Sequence, residues 1–578
     1  VSDLKKSIKD RLRVEKGFIR KKWKDRLRVA LVYPNTYWIG MSNLGFQILY
    51  QILNSRDEIV AERAFLPDPG LLDIGTVLTM ESQSPLKRFH LIAFSISYEN
   101  DYPNLLKILK ISHIPLLSSE RGSPYPLIMA GGVAVFINPE PIAPFIDLFY
   151  MGEAESRLNK LLDILIYNLT KKRIDKKELL KDISRELRCV YIPSLYNVYY
   201  GKDGCIKGME PIELHLSNRV EVAKTAAEDF KITTSTICTP NTEFSNRTIV
   251  EMVRGCGWGC RFCVAGYIYR PPRRHPEDKL LEYIRETLKK RREVALLGAS
   301  LSEIENLSLI THEILRQKGR FSISSIRIDS LTPELLEDIL NAGQRTITVA
   351  PETGSERLRT AINKHLKDSQ IFEGIERIAT IGNISIKLYF MIGLPEETWE
   401  DLESIVTLIK KIRHHMIKRS KKRGTIGTIK CSINCFIPKP FTPLQWTPLE
   451  DVEILKQKQR WLKRALSKIG GVRVTFDVPK WAYIQALLSL GDRRVADILL
   501  RVIEDSLSWK DALRGSPINP DFFVYRERNL EEILPWDFLD HGIKKGFLIE
   551  EFRLYKVAKE SPPCLPSKRC TRCGICSL

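Results

Sequence analysis

Long apolar runs are missing from this chain: no stretch of eighteen apolar residues occurs in its 578, so no helix long enough to span a bilayer is expected. It opens Val1-Ser2-Asp3-Leu4-Lys5-Lys6 without an apolar signal segment, which argues against export and against a disulfide framework. Its 12 cysteines are then expected in a reducing cytoplasm, serving metals or chemistry. Negative charge is in deficit. Ninety Lys and Arg face 70 Asp and Glu, a net +20, which favours a polyanionic partner such as RNA. Histidine is also sparse, with nine in the chain. The 43% hydrophobic content suffices for about three or four domains of ordinary size.

The organising stretch is Cys256-Gly257-Trp258-Gly259-Cys260-Arg261-Phe262-Cys263, which follows an apolar strand over 248–253. Three thiolates at CxxxCxxC spacing can each hold one iron of a 4Fe-4S cube, leaving the fourth iron open. An open iron can chelate the amino and carboxylate groups of S-adenosylmethionine (SAM). Gly255, Gly257 and Gly259 let the loop wrap closely, and Trp258 and Phe262 are expected to keep water away. Zinc wants four ligands at paired spacing, and no nearby cysteine or histidine completes a set.

Read in order, residues 1–26 form a basic leader, either an arm on nucleic acid or a solvated helix tied down by Phe18, Ile19 and Trp23. From 27 to 187 strands alternate with helices: strands near 28–34, 59–65, 91–97, 126–130 and 148–151, then a charged helical linker over 170–187. That alternation predicts a doubly wound parallel sheet with ligands beyond the strand carboxyl ends. A hairpin turning at Asp203-Gly204 and a Thr/Ser-rich linker occupy 188–247. From 248 to 447 six strands (248–253, 293–297, 325–328, 346–350, 384–391, 430–436) predict an open (β/α)6 partial barrel. Asp329, Glu352, Lys387 and Lys439 gather at or near its carboxyl ends. Lys387 shares strand parity with Tyr389 and Met391 and so points inward. A helical extension fills 448–560. A basic run, 410–423, joins Arg270, Arg273, Arg274 and 289–292 as a candidate phosphate-binding surface, though few aromatics interleave with it.

The cysteine loop, the strand-end motifs, Ala350-Pro351-Glu352-Thr353-Gly354-Ser355 and Pro438-Lys439-Pro440-Phe441-Thr442-Pro443 together resemble the radical-SAM superfamily. The match is to a largely uncharacterised group with a cobalamin-binding-type amino-terminal domain, and it covers nearly the whole chain. The resemblance implies that Gly298-Ala299-Ser300 hold the amino group of SAM and that Glu352 or Thr353 binds its ribose. It implies further that Gly393 shapes the adenine cradle, and that Lys387 and Asp329 serve SAM or substrate as catalytic residues. Gly131-Gly132 and Gly152-Glu153, at successive strand ends, match the cobalamin-type domain. One departure stands out: the Asp-x-His-x-x-Gly pattern that supplies a histidine below cobalt is absent from this segment. Either cobalamin binds without that ligand, or the domain is scaffold.

The tail, 561–578, carries Cys564, Cys570, Cys573 and Cys576, a spacing that suits a second 4Fe-4S cluster or structural zinc. The expectation is a radical-SAM enzyme, fed by an external electron donor. It would use a 5′-deoxyadenosyl radical to methylate or otherwise modify an unactivated carbon, with RNA a candidate substrate. The rival reading is an RNA- or ribosome-associated iron–sulfur binding protein without radical catalysis.

Overall fold

The computed structural model describes residues 1–172, 175–421, 424–564 and 570–577. Positions 173 and 174 of the expected linker and 422 and 423 of the basic run lie outside the described residues.

The amino-terminal sheet has six strands: β1 (Leu27–Tyr33), β2 (Ile59–Phe65), β3 (Leu91–Ser95), β4 (Leu127–Gly131), β5 (Leu148–Tyr150) and β6 (Val190–Tyr191), in the order β2-β1-β3-β4-β5-β6. The first five are parallel, and β6 runs antiparallel to β5. β1, β2 and β3 are buried almost without interruption, as strands covered on both faces must be. The order 2-1-3-4-5 is that of a doubly wound sheet, and it opens a crevice beyond the strand carboxyl ends. The leader is a helix, Ser2–Val14, that buries Leu4, Ile8 and Leu12 against the body. Its lysines face solvent, while Arg11 pairs with Asp68 and lies over the Tyr37 ring.

A hairpin of β7 (Tyr196–Tyr200) and β8 (Ile206–Pro211) follows, and β9 (Val220–Glu221) pairs much later with Leu539–Asp540. The barrel then begins with β10 (Thr248–Arg254), edged by the short antiparallel β11 (Arg273–Arg274), and continues through β12 (Glu293–Gly298) and β13 (Arg320–Ile323). A single parallel bridge, Ser325 to Thr348, joins this group to β14 (Thr346–Glu352), β15 (Ser385–Ile392), β16 (Ile429–Cys435) and β17 (Val472–Phe476).

Two differences from expectation are evident. The third strand lies at Arg320–Ile323, earlier than 325–328, because Ser325 keeps only its bridge and Ile328–Ser330 closes into a 3-10 turn. A seventh parallel strand, β17, extends the six. It lies in a region expected to be helical and follows Gly470-Gly471, where Gly471 takes a φ of 78°. The flanking helices are present, at Val452–Leu466, Pro479–Leu490 and Ala496–Ile503.

Helices pack on the outer face of β14 to β16, burying Ile347, Ile386, Leu388 and Ile433 among Leu402, Ile405 and Ile409. The inner face of the first half-barrel is covered by the amino-terminal domain, where Leu44 and Ile48 meet Ile249, Ala295 and Leu297. Pro479–Leu490 is buried nearly all round. Ser489 and Gly491 present carbonyls to Asn138 of the amino-terminal domain at 2.9 and 2.8 Å. Among the described residues no helix is long and apolar enough to cross a membrane.

Candidate active site

The cysteine loop leaves the carboxyl end of β10 through Gly255, whose φ of 85° and close neighbour, Tyr269 O at 2.6 Å from a Cβ placed there, admit glycine alone. Arg261, fully buried, anchors the loop from beneath. Its guanidinium donates to Ala361 O at 2.6 Å, Lys559 O at 2.8 Å and Glu551 at 3.0 Å, while its N–H donates to Ile362 O at 2.9 Å. Trp258 lies under the Arg327 guanidinium, 3.7 Å from its ring centroid.

Cys256, Cys260 and Cys263 lie near enough to act on one another. Burial, with that mutual influence second, pushes Cys256 up to about 12; burial, relieved in part by Lys364, pushes Cys260 up to about 11. Burial raises Cys263 as well. Such thiols hold their protons at neutral pH until a metal displaces them. Among the described residues no three His, Cys, Asp or Glu side chains converge on one ion-sized point. A 4Fe-4S cluster makes no such demand, because each thiolate takes a different iron. The donor set therefore fits a three-cysteine cluster.

The expected SAM residues divide. Gly298 and Ala299 line a cavity at the domain interface, and Ser300 is buried beside them with its hydroxyl 2.9 Å from that of Ser302. Glu352 ends β14 in a left-handed conformation, φ 71°, and faces a second cavity. Its carboxylate accepts from Lys364 at 2.9 Å. Thr353 is buried and donates to Ser355 O, away from either cavity. Gly393 packs outward, its N–H donating to Glu397 at 2.8 Å and its missing side chain leaving room for Leu455. Asp329 grips Arg327 through both oxygens, at 3.1 and 2.8 Å. It thus acts on the cation above Trp258 and is a positioning residue in this arrangement. Lys387 points inward as its parity requires, but sits four residues below Met391 with its Nζ 4.7 Å from the Tyr389 ring centroid, outside the cavity lining. Lys439 reaches across to Glu99 of the amino-terminal domain at 2.6 Å.

The interface cavity, of about 580 Å³, lies beyond the carboxyl ends of β3, β4 and β5 and against those of β10 and β12, within the range of cofactor sites. Gly131, Gly132, Gly152 and Glu153 all border it. Two of these glycines are demanded by the fold itself: a Cβ at Gly132 would lie 2.4 Å from Ile96 O, and one at Gly152 2.1 Å from Ala223 O. Glu153 is committed elsewhere. It accepts from Arg273 at 2.6 Å and Arg254 at 2.9 Å, and these hydrogen bonds and charges hold its carboxyl below the usual range against the opposing effect of burial. Arg254 also binds Glu155 and Glu251. Among the described residues no histidine lines the cavity. Arg270 is likewise buried, donating to Gly266 O at 2.6 Å, so neither Arg270 nor Arg273 belongs to an exposed phosphate-binding surface.

A second cavity, of about 410 Å³, occupies the barrel mouth at the ends of β14 to β17. Tyr98, Phe262, Tyr389 and Phe436 supply aromatic wall, and Glu352, Asn434 and Asp477 supply polar groups. Burial raises Asp477 above the ordinary carboxylate range. Glu303 was not singled out in the sequence, yet its carboxylate accepts the Gly257 N–H at 2.6 Å. Lys364 was also missed, for it lies in a loop after a helix and only folding brings it beside Cys260.

The tail docks on the first loop. Cys564 N–H donates to Gly257 O at 2.6 Å, and Arg572 binds Glu551, the carboxylate that also holds Arg261. Cys570, Cys573 and Cys576 all lie close enough to raise Cys564, behind burial as the leading cause.

Comparison with known proteins yields a family model for the amino-terminal part of radical SAM proteins over residues 45–193 and the radical SAM superfamily model over 250–409. The uncharacterized protein MJ0966 of Methanocaldococcus jannaschii is 30% identical over 474 residues, which cover 82% of this chain and 90% of that one. A tRNA-2-methylthio-N(6)-dimethylallyladenosine synthase of Bartonella quintana is 26% identical over 194 residues, 30% of this chain and 42% of the synthase. Among solved structures, the radical SAM methyltransferase TsrM of Kitasatospora setae, with cobalamin and a 4Fe-4S cluster bound, aligns at a TM-score of 0.45 and 13% identity. That alignment covers 75% of this chain and 78% of TsrM. The cobalamin-dependent radical enzyme OxsB, with aqua-cobalamin and SAM, aligns at 0.44 and 13%, over 92% and 79%.

Proposed function

The chain belongs to the radical SAM superfamily, and from that premise we propose that it is an enzyme modifying an unactivated carbon, by methylation in the first instance, on an RNA substrate. The observation that carries this reading is the CxxxCxxC loop at the end of β10, flanked by one cavity at the domain interface and another at the barrel mouth. When bound there, a 4Fe-4S cluster supplies the electron that splits SAM into methionine and the 5′-deoxyadenosyl radical.

This chain's own residues have separable tasks. Cys256, Cys260 and Cys263 would hold the cluster. Arg261 fixes their loop to the barrel, and Trp258 with Phe262 limits water. Gly298, Ala299, Ser300 and Glu352 are the candidate SAM contacts. Lys364 balances the Glu352 carboxylate and lies near the thiols, so it offsets the negative charge a thiolate cluster brings. The interface cavity, apolar over most of its wall and placed beyond the parallel strand ends, would hold cobalamin, and its described lining residues include no histidine. Cys564, Cys570, Cys573 and Cys576 would hold a second cluster, which their spacing suits.

The test is anaerobic incubation of the reconstituted chain with SAM and dithionite. Release of 5′-deoxyadenosine and methionine is expected. Binding of SAM with no cleavage in a fully iron-loaded sample would instead favour a non-catalytic iron–sulfur protein. Cobalt analysis of protein refolded or expressed with cobalamin tests the interface cavity separately.

A further inference from the structure

β14, β15, β16 and β17 are covered by helices on one face, while their other face looks into the barrel. Residues of that inner face alternate with buried ones: β14 and β15 read half-buried, buried, half-buried along their length. The first half-barrel has its inner face closed by Leu44 and Ile48. The second half does not, and its lower part carries charge of one sign. Lys387 pairs in register with Lys430, and Lys430 with Arg473. Partners in a parallel ladder project to the same side, so three cations stand abreast on three neighbouring strands. Lys430 and Arg473 are exposed and Lys387 is half-buried.

Such a row is unfavourable by itself, since like charges directly opposite on adjacent strands repel. Elsewhere on the molecule comparable cations are matched: Lys439 by Glu99, Lys364 by Glu352, Arg254 by three carboxylates. Among the described residues, none of Lys387, Lys430 and Arg473 has a carboxylate within ion-pairing distance. The inner-face neighbours one step up the strands are Tyr389, Ser432 and Thr475, all uncharged. Glu352, Asp477 and Lys439 stand at the mouth, Glu352 paired with Lys364 and Lys439 with Glu99. The half-barrel thus has an aromatic rim whose charges are largely matched over a floor of unmatched cations.

We propose that Lys387, Lys430 and Arg473 form a phosphate-binding row for an RNA strand whose target nucleotide enters the cavity at the barrel mouth. The proposal rests on the enzymatic reading above and names the contact by which that site would hold its substrate. The geometry favours a strand of phosphodiesters over a lone phosphate. Three strands at the usual sheet spacing set the outer Cα atoms about 10 Å apart, and the long Lys and Arg side chains can splay from there to meet successive phosphates of one strand. From Lys387 to Met391 is about 13 Å along β15, which separates the backbone anchor from the rim. At the rim, Tyr98, Phe262, Tyr389 and Phe436 offer the aromatic faces on which unpaired bases stack.

The experiment is fluorescence anisotropy of a twelve-nucleotide single-stranded RNA with the full-length, cluster-loaded chain, titrated from 50 to 200 mM KCl. The K387A/K430A/R473A variant is expected to bind at least tenfold more weakly at 50 mM and to lose about 2 from the slope of log affinity against log salt, the share of three phosphate contacts. Lys430→Arg with Arg473→Lys, which keeps the charge, is expected to retain binding and so separates lost contact from lost fold. Charge removal at three exposed outer lysines elsewhere, K177A/K202A/K318A, is expected to leave affinity and slope unchanged. The idea is overturned if the wild type does not bind this RNA, if it binds poly-glutamate equally well, or if the outer variant loses binding while the inner one keeps it. Dithionite-driven SAM cleavage by the wild type without RNA is scored alongside. Its absence sinks the enzymatic reading, whereas cleavage without RNA binding sinks only the phosphate row.

Discussion

At the scale of single residues, the site is defined by which charges are already spoken for. Glu352 is held by Lys364, Asp329 by Arg327, Lys439 by Glu99 and Glu153 by two arginines, so four acids and bases that look available in the sequence are bound into the protein. Cys260 is different: it is buried beside two other thiols, and burial raises it although Lys364 acts in the opposite sense. Cys260→Ala is expected to remove about four irons per chain, one 4Fe-4S cluster, and to abolish 5′-deoxyadenosine release; iron analysis with product chromatography checks both. A second residue gives a pH signature. Glu397 is buried with Lys458 at 2.8 Å, and Lys458 is shared with Glu450. Burial prevails over the ammonium and pushes Glu397 up to about 7 from 4.5. A carboxyl raised in this way binds its proton more tightly folded than unfolded. Its contribution to stability is therefore full below 4.5 and is lost as pH rises through about 7. Glu397→Gln should remove that component, so the melting temperature of the variant relative to wild type should climb between pH 5 and 8.

At the scale of elements, the tail lies against the first cysteine loop. Its first cysteine is hydrogen-bonded to the backbone of the catalytic loop, so the two cysteine groups are neighbours rather than separate ends of a chain. Replacing Cys570, Cys573 and Cys576 together by Ala should lower iron from about eight to about four per chain, as loss of one cube of two requires. The signal of the remaining cluster in electron paramagnetic resonance should persist. Equal iron in variant and wild type, with zinc present in the wild type, would reassign the tail to zinc. Elements also show where sequence reading succeeds. β1, β15 and β16 declare themselves by continuous or alternating apolar runs. β17 does not, because Val472–Phe476 is an edge strand of five residues with no fully buried side chain, placed between helices with far stronger periodicity. The signal that could have found it was Gly470-Gly471 before alternating Val, Arg, Val, Thr and Phe.

At the scale of the whole molecule, the amino-terminal domain and the barrel are joined by ionic contacts as well as by packing. Glu153 lies at the centre, buried between Arg273 and Arg254. Breaking a buried, hydrogen-bonded charge set by removing one member costs about 3–5 kcal/mol, because the partners remain buried and uncompensated. Glu153→Gln should accordingly lower the melting temperature, and denaturant unfolding should split into two transitions as the domains part. A variant that unfolds like the wild type would show that packing alone holds the interface.

The sequence by itself determined the parallel α/β class of both sheets, the order of most elements and the cysteine loop, since each rests on local period and spacing that need no knowledge of distant neighbours. The position of β13 and the edge strand β17 it did not determine. It also carried the family resemblance and the cysteine spacing of the tail. Only the tertiary structure decided which charged residues are free. Glu153 and Arg254 are about a hundred positions apart, Glu99 and Lys439 more than three hundred, and ion pairing depends on distance in space, to which sequence separation is blind. The row of Lys387, Lys430 and Arg473 became visible for the same reason: three unremarkable cations on separate strands acquire meaning when a parallel register sets them side by side.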